Sequence, residues 1–263
     1  MKTDAWRIWD RQKEYGDLLY RRAVGELPEM ESSKAVAARI QPWLQDGDRV
    51  LDVGCGAGHY YRSLKQAIPR SFDYTGVDAT GYYIEVARRA WKGDTATTFV
   101  QGDIFALPFE DQSFDIVVSA NVFLHLPSIK IPFEQLVRVA RRKVLVRMLA
   151  GDRSFRIQEV YSPETHPGWF TGQSDQEEFD GQGEPVSFHY FNIYSRSYIE
   201  KILRKNSRVS DVRFVEDTFF DAGRFAAEKE LYANSPDATE ILDGWQVNGY
   251  ILQPWHFVEV TCR

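Results

Sequence analysis

The chain predicts an α/β fold built on a doubly wound parallel sheet, and three observations carry that prediction. Five short apolar strands alternate with helical segments between residues 49 and 147. A glycine-rich turn links the first strand to the helix after it. Acidic residues stand at the ends of three successive strands. Strands that alternate with helices require crossover connections, and right-handed crossovers restrict such a sheet to a few doubly wound orders.

Apolar and aromatic residues recur at helical spacing through residues 5–46, from Trp6, Trp9, Tyr15, Leu18 and Leu19 to Val36, Ile40 and Leu44, which predicts a helical N-terminal cap. Gly47-Asp48 breaks that pattern before the first strand, Arg49 to Val53. A helix follows over 59–68, then a second strand from Asp73 to Val77 and a helix over roughly 80–92. The third strand is Thr97 to Val100, and the fourth is Phe114 to Val118. A helix from Pro132 to Val139 leads into a fifth strand, Lys143 to Arg147. Residues 151–190 are rich in Gly, Pro and aromatics, too long for a plain connection, and predict a lid-like insertion over 148–194. Ser195 is placed to N-cap a helix running to Lys205. Asp211–Glu216 and Trp255–Thr261 predict two final strands, with a second insertion over 217–253 between them.

Composition narrows the function classes. The 263 residues are 43% hydrophobic and carry a net charge of −6 with the charges interspersed. Bulk attraction to nucleic acid or to an anionic membrane is therefore not expected. The one basic run, Arg141-Arg142-Lys143, reads as the solvated end of a strand. No stretch is long and apolar enough for a membrane span, and the two cysteines, Cys55 and Cys262, do not form a disulfide framework. A cytoplasmic setting is the expectation. No compact metal-ligand spacing and no GxSxG elbow occurs, so neither a metal nor a serine nucleophile is expected.

The segment Val50-Leu51-Asp52-Val53-Gly54-Cys55-Gly56-Ala57-Gly58 runs from a strand through a glycine turn into a helix. Glycines there allow a positive φ and close approach of a ligand to the backbone. The spacing is GxGxG rather than the GxGxxG of dinucleotide sites, and Asp52 would repel a pyrophosphate while accepting from an ammonium group. An NAD-linked oxidoreductase is accordingly the weaker alternative. Asp78 ends the second strand, placed for two ribose hydroxyls, and Gly102-Asp103 follows the third. One glycine turn alone is often only a tight bend. Three acids in register with it on the carboxyl edge of the sheet point to a nucleoside-type cofactor.

On these residues the run from 49 to 147 resembles the class I S-adenosylmethionine-dependent methyltransferases. The shared features are the glycine motif at 51–58, the second-strand acid Asp78, the Gly102-Asp103 pair, and the segments around Leu107-Pro108-Phe109 and Asn121 to Leu126. The resemblance implies a Rossmann-like, seven-stranded, mostly parallel sheet whose last strand is antiparallel. It implies S-adenosyl-L-methionine as cofactor, with Asp52 near the methionine ammonium and Gly54, Cys55 and Gly56 along the amino-acid portion. Asp78 would bind the ribose, with Ala79 beside the adenine. Asp103 would meet the adenine amino group with Gly102 beside it and Ile104 on the ring, and Asn121 and Val122 would line the methionine side.

Methyl transfer to a hydroxyl requires loss of its proton, and His125, just past the fourth strand, is the candidate base. Packing within a helix is its other reading. The cluster from Phe188 to Tyr194 offers His189, Tyr190 and Tyr194 as substrate contacts, or alternatively as aromatic anchors of the insertion. His166 and His256 belong to no constellation. The absence of an Asn/Asp-Pro-Pro-aromatic run after the fourth strand, together with the acidic balance, disfavours nucleic acid as acceptor. The expectation is methyl transfer to a small-molecule acceptor, such as a hydroxyl of a sugar or natural-product scaffold. A non-catalytic module that binds the cofactor and regulates a partner is the alternative.

Overall fold

The computed structural model describes residues 6–163, 177–218, 240–242, 245–248 and 251–263. Parts of both expected insertions, His166 among them, lie outside these residues.

The N-terminal region is a short 3-10 turn, Ile8–Arg11, followed by α1 (Lys13–Ala23) and α2 (Glu31–Ile40). The continuous periodicity of the sequence hides the break at Gly25, whose φ of 89° ends the first helix. Strand β1 (Asp48–Val53) leads through the glycine turn to α3 (His59–Ala67). Then come β2 (Phe72–Asp78), α4 (Gly81–Ala90), β3 (Thr97–Gln101), β4 (Phe114–Ala120), α5 (Lys130–Val139) and β5 (Ala140–Gly151). An antiparallel pair, β6 (Gln158–Val160) and β7 (Phe188–Tyr190), precedes β8 (Tyr194–Ser195) and α6 (Arg196–Leu203), where the Ser195 side chain accepts from the Tyr198 N–H. Strand β9 (Val209–Glu216), a small antiparallel set of β10 (Glu240–Leu242), β11 (Trp245–Asn248) and β12 (Ile251–Leu252), and β13 (Trp255–Cys262) complete the described chain.

The main sheet runs β3-β2-β1-β4-β5-β13-β9, with β8 paired to the end of β5. Strand β13 is antiparallel to both neighbours, and the other pairings are parallel. This is the mostly parallel sheet with one antiparallel strand that the resemblance implies, its seven strands extended to eight by β8. The fifth strand is longer than its apolar run because β13 pairs it from Lys143 to Leu149 and keeps Met148, Leu149 and Ala150 buried.

Side chains alternate between two cores, as a pleated sheet covered on both faces requires. Leu51, Val53, Val117, Val144 and Val146 pack with α5 and α6 on one face. Val50, Tyr74, Ile116, Val118 and Leu145 pack with α2, α3 and α4 on the other. Helix α1 lies so close to α4 that a Cβ on Gly16 would come 2.8 Å from the Tyr83 ring, and this approach brings the N-terminal turn over the carboxyl ends of the strands.

Phe133 on α5 is buried against Phe123, with ring centroids 4.6 Å apart, directly behind the segment that follows β4. Phe133→Ala is expected to lower the unfolding free energy by about 3–5 kcal/mol, read by urea denaturation.

Candidate functional site

The chain moves outward from β1 through β2 to β3, then returns to place β4 on the other side of β1. At such a reversal the flanking connections diverge and leave a crevice beyond the strand ends. An open-mouthed cavity fills it. Val53, Gly54 and Gly56 line it from the β1 turn, Val77 to Thr80 from β2, and Gly102 to Phe105 from β3. Ala120, Asn121, Val122, His125 and Leu126 line it from β4 and the turn beyond.

The glycine turn takes its shape from positive φ values at Gly54 (80°), Gly56 (54°) and Gly58 (71°). A Cβ on Gly54 would come 2.3 Å from Val122 Cγ2, so the turn and the β4 segment close on one another only with glycine there. Cys55 sits inside the turn, 1% exposed, and burial pushes its thiol well above the ordinary range.

Asp78 is held rigidly. One carboxylate oxygen accepts from the Gly56 N–H and the other from the Thr80 N–H, each at 2.9 Å, and each oxygen keeps a lone pair for a further donor. Burial raises its pKa, and the two backbone donors oppose that rise. Asp103 accepts from Arg7 at 2.7 Å, and Asp10 accepts from the Thr80 hydroxyl at 3.0 Å. The N-terminal turn thus rests on the acidic strand ends.

Of the residues singled out in the sequence, Gly54, Gly56, Asp78, Ala79, Gly102, Asp103, Ile104, Asn121, Val122 and His125 line the cavity together. Asp52 and Cys55 stand behind it. The Asp52 side chain turns to the α2–α4 face of the sheet, where the Tyr74 hydroxyl donates to it at 2.6 Å. Burial pushes Asp52 up to about 7; the Tyr74 bond opposes this and the Asp78 charge adds to it.

His125 closes a 3-10 turn after β4. Its Nδ1 is 2.9 Å from the Tyr190 carbonyl, which can only accept, so Nδ1 carries the proton and Nε2 holds the lone pair. Burial, then the neighbouring His189, push its pKa down to about 3 against the pull of that carbonyl. The edge of Trp9 meets the ring at 5.0 Å and His189 at 4.9 Å. His189 is itself 3.2 Å from Glu159. His189 and Tyr190 therefore support His125 from behind the cavity wall, while Tyr194 lies farther off, stacked on Tyr198.

Sequence reasoning did not single out Trp6, Arg7, Trp9, Asp10, Tyr15, Met30, His59, Tyr60, Thr80 or Tyr83, which also line the cavity. Most come from the N-terminal cap, whose helical periodicity carries no sign of what it covers. The signal for His59 was its place directly after the glycine turn. Its Nδ1 is buried without a hydrogen-bond partner, and burial, then Arg22, lower its pKa to about 3.

Carboxylates at Asp10, Asp78 and Asp103, one guanidinium already held by Asp103, and a partnerless buried imidazole nitrogen suit a ligand that is cationic and rich in donors. A pyrophosphate would meet the wrong charge. The residues present thus fit an adenosyl sulfonium. Among the described residues no group of acidic, histidine or cysteine side chains could hold a metal, and no helix is long and apolar enough to cross a membrane.

Known proteins agree with this geometry. A family model described as a methyltransferase domain matches residues 51–147. A demethylmenaquinone methyltransferase of Thermotoga maritima is 28% identical over 164 residues, 61% of this chain and 69% of that one. A demethylmenaquinone methyltransferase of Staphylococcus aureus is 30% identical over 98 residues, 37% of this chain and 41% of the relative, so the chain spans less than half the length of that protein. Among solved structures, the complex between the Haloferax volcanii Trm112 methyltransferase activator and a methyltransferase superposes with a TM-score of 0.56 at 18% identity, covering 96% of both chains.

The raised Asp52 pKa gives a stability prediction. A buried acid whose folded pKa lies above its unfolded value favours the fold while protonated, and that contribution is lost as pH rises through about 7. Wild-type stability should therefore fall between about pH 4 and 7 relative to Asp52→Asn, as read by denaturation across that range.

Proposed function

We propose, from the premise that this chain belongs to the class I S-adenosylmethionine-dependent methyltransferases, that it transfers a methyl group to a hydroxyl of a small ring-bearing molecule, a sugar or a natural-product scaffold. The observation that carries the acceptor reading is His125 on the cavity wall, with Nδ1 committed to the Tyr190 carbonyl and Nε2 left as an acceptor.

When bound, S-adenosylmethionine supplies a methyl group already activated by its sulfonium. Asp78, fixed by the Gly56 and Thr80 N–H groups, binds the two ribose hydroxyls. Asp103 and Ile104 hold the adenine end, and Gly54, Gly56, Asn121 and Val122 hold the amino-acid end. Asp52, bonded to Tyr74 behind the turn, would act on the methionine ammonium only in its ionised form, above about pH 7. Trp6, Trp9 and Phe105 offer flat apolar walls for a ring, in keeping with the similarity to relatives named for demethylmenaquinone. These walls also exclude water from the acceptor.

Nε2 of His125, with its lone pair free, would accept the proton of the acceptor hydroxyl, while the bound cofactor would supply the methyl group and leave as its thioether. A neutral imidazole held at so low a pKa favours, of these two acceptors, the phenolic or enolic hydroxyl of a natural-product scaffold over the aliphatic hydroxyl of a sugar.

His125→Ala is expected to reduce turnover by about 10²–10⁴-fold while leaving the affinity for S-adenosylhomocysteine nearly unchanged. Near-normal turnover in that variant would assign the histidine to packing. Because burial keeps His125 neutral, kcat/KM should show no acidic limb from the imidazole across about pH 5 to 8, which a pH–rate profile checks. For the cofactor site, calorimetry should find saturable binding of S-adenosylmethionine by the wild type, strong weakening in Asp78→Ala and loss in Gly56→Arg. No binding by the folded wild type at millimolar ligand would overturn the reading.

A further inference from the structure

We infer that Arg147, deep in the sheet and outside the cavity, positions the cofactor-binding backbone at Asn121. The inference rests on the cofactor reading above. Asn121 has a φ of 61°, the left-handed region that side chains other than glycine seldom occupy, and it sits where β4 gives way to the cavity wall. Something must hold the backbone there.

Arg147 reaches it from β5. Its backbone pairs with Ala120 on one side and Phe257 on the other, and its side chain is 5% exposed. Nη1 donates to Asn121 Oδ1. The Asn121 Nδ2 donates in turn to the Tyr60 hydroxyl at 3.3 Å, and that hydroxyl donates to Ser32 at 2.8 Å. The Asn121 main-chain N–H is bound as well, to the Arg147 carbonyl at 3.0 Å. Both ends of the Asn121 amide are therefore committed, and its orientation is fixed.

The guanidinium is anchored from behind. Nε donates to Asp217 at 2.7 Å, with the Asp217 side chain 2% exposed, and the guanidinium lies 3.9 Å over the Trp255 ring. Asp217 is tied down by its own N–H on the Trp255 carbonyl. A buried ion pair that served only to join β5 to the segment after β9, across β13, would need no second arm. Apolar residues of similar volume commonly serve such a joint as well or better. The planar fork, with Nε on the acid and Nη1 on Asn121, is the feature that lysine could not reproduce. Val122, next in the chain, meets the glycine turn at Gly54, so the pose of Asn121 sets the gap between the β1 and β4 segments.

A double-mutant cycle on the full chain tests the inference, with calorimetric affinity for S-adenosylhomocysteine and thermal denaturation as readouts. Arg147→Lys should weaken binding by about tenfold or more in a protein that still unfolds cooperatively. Asn121→Gly takes the positive φ unaided. In that background Arg147→Lys should weaken binding by no more than about threefold, because the backbone no longer depends on the fork. Asp217→Asn, which keeps the guanidinium but loosens its anchor, should show the same rescue by Asn121→Gly. Equal losses in both backgrounds, or wild-type affinity in folded Arg147→Lys, would overturn the inference. So would failure of both Arg147→Lys and Asp217→Asn to fold, which would make the pair a clamp of the fold. A wild type that does not bind S-adenosylhomocysteine would instead overturn the cofactor reading.

Discussion

Strands β1 and β4 lie side by side, yet the chain leaves their carboxyl ends in different directions. Gly54 turns toward α3 on one face of the sheet, and Asn121 turns toward α5 on the other. The divergence opens the crevice, and the backbone on both sides of it adopts left-handed conformations to make room, at Gly54 and Gly56 on one wall and at Asn121 on the other. Glycine meets that demand without side-chain strain. Asn121 meets it with hydrogen bonds on both ends of its amide, and so draws β5, β13 and the segment after β9 into the construction of the site.

The acidic rim follows from the same geometry. Parallel strands deliver their carboxyl ends to one edge, so single residues far apart in sequence, Asp78 and Asp103, become neighbours around one cavity. Their negative field is partly balanced by Arg7, and backbone N–H groups hold Asp78 in place. The N-terminal turn also contributes Trp9, which meets both His125 and His189. One short segment therefore joins the acidic strand ends, through Arg7 and Asp10, to the histidine pair, through Trp9.

The fate of the ionisable groups depends on which face of a strand they occupy. Asp52 and Val53 are adjacent, but the pleat sends Val53 to the cavity and Asp52 to the opposite core, against Tyr74. The acid that the motif places beside the glycine turn is thereby buried beneath it, bonded to Tyr74. His125 and His189, distant in sequence, become ring neighbours because the antiparallel pair of β6 and β7 lies beside the turn after β4. Their mutual burial keeps His125 neutral.

The sequence by itself determined the sheet, the glycine turn and the strand-end acids. These depend on short-range alternation, on positive φ that only glycine tolerates well, and on parallel strands whose ends must share an edge. It fell short where tertiary contact decides. Helical periodicity at Trp6 and Trp9 looks the same whether a helix covers solvent, core or ligand, and only the close packing of α1 on α4 at Gly16 set it over the cavity. The joining of Asp217, Arg147 and Asn121 likewise depends on β13 entering the sheet antiparallel beside β5, a long-range pairing that no local pattern encodes. The tautomer of His125 was decided by a carbonyl on a strand more than sixty residues away, at Tyr190, which only the folded chain brings within hydrogen-bond reach.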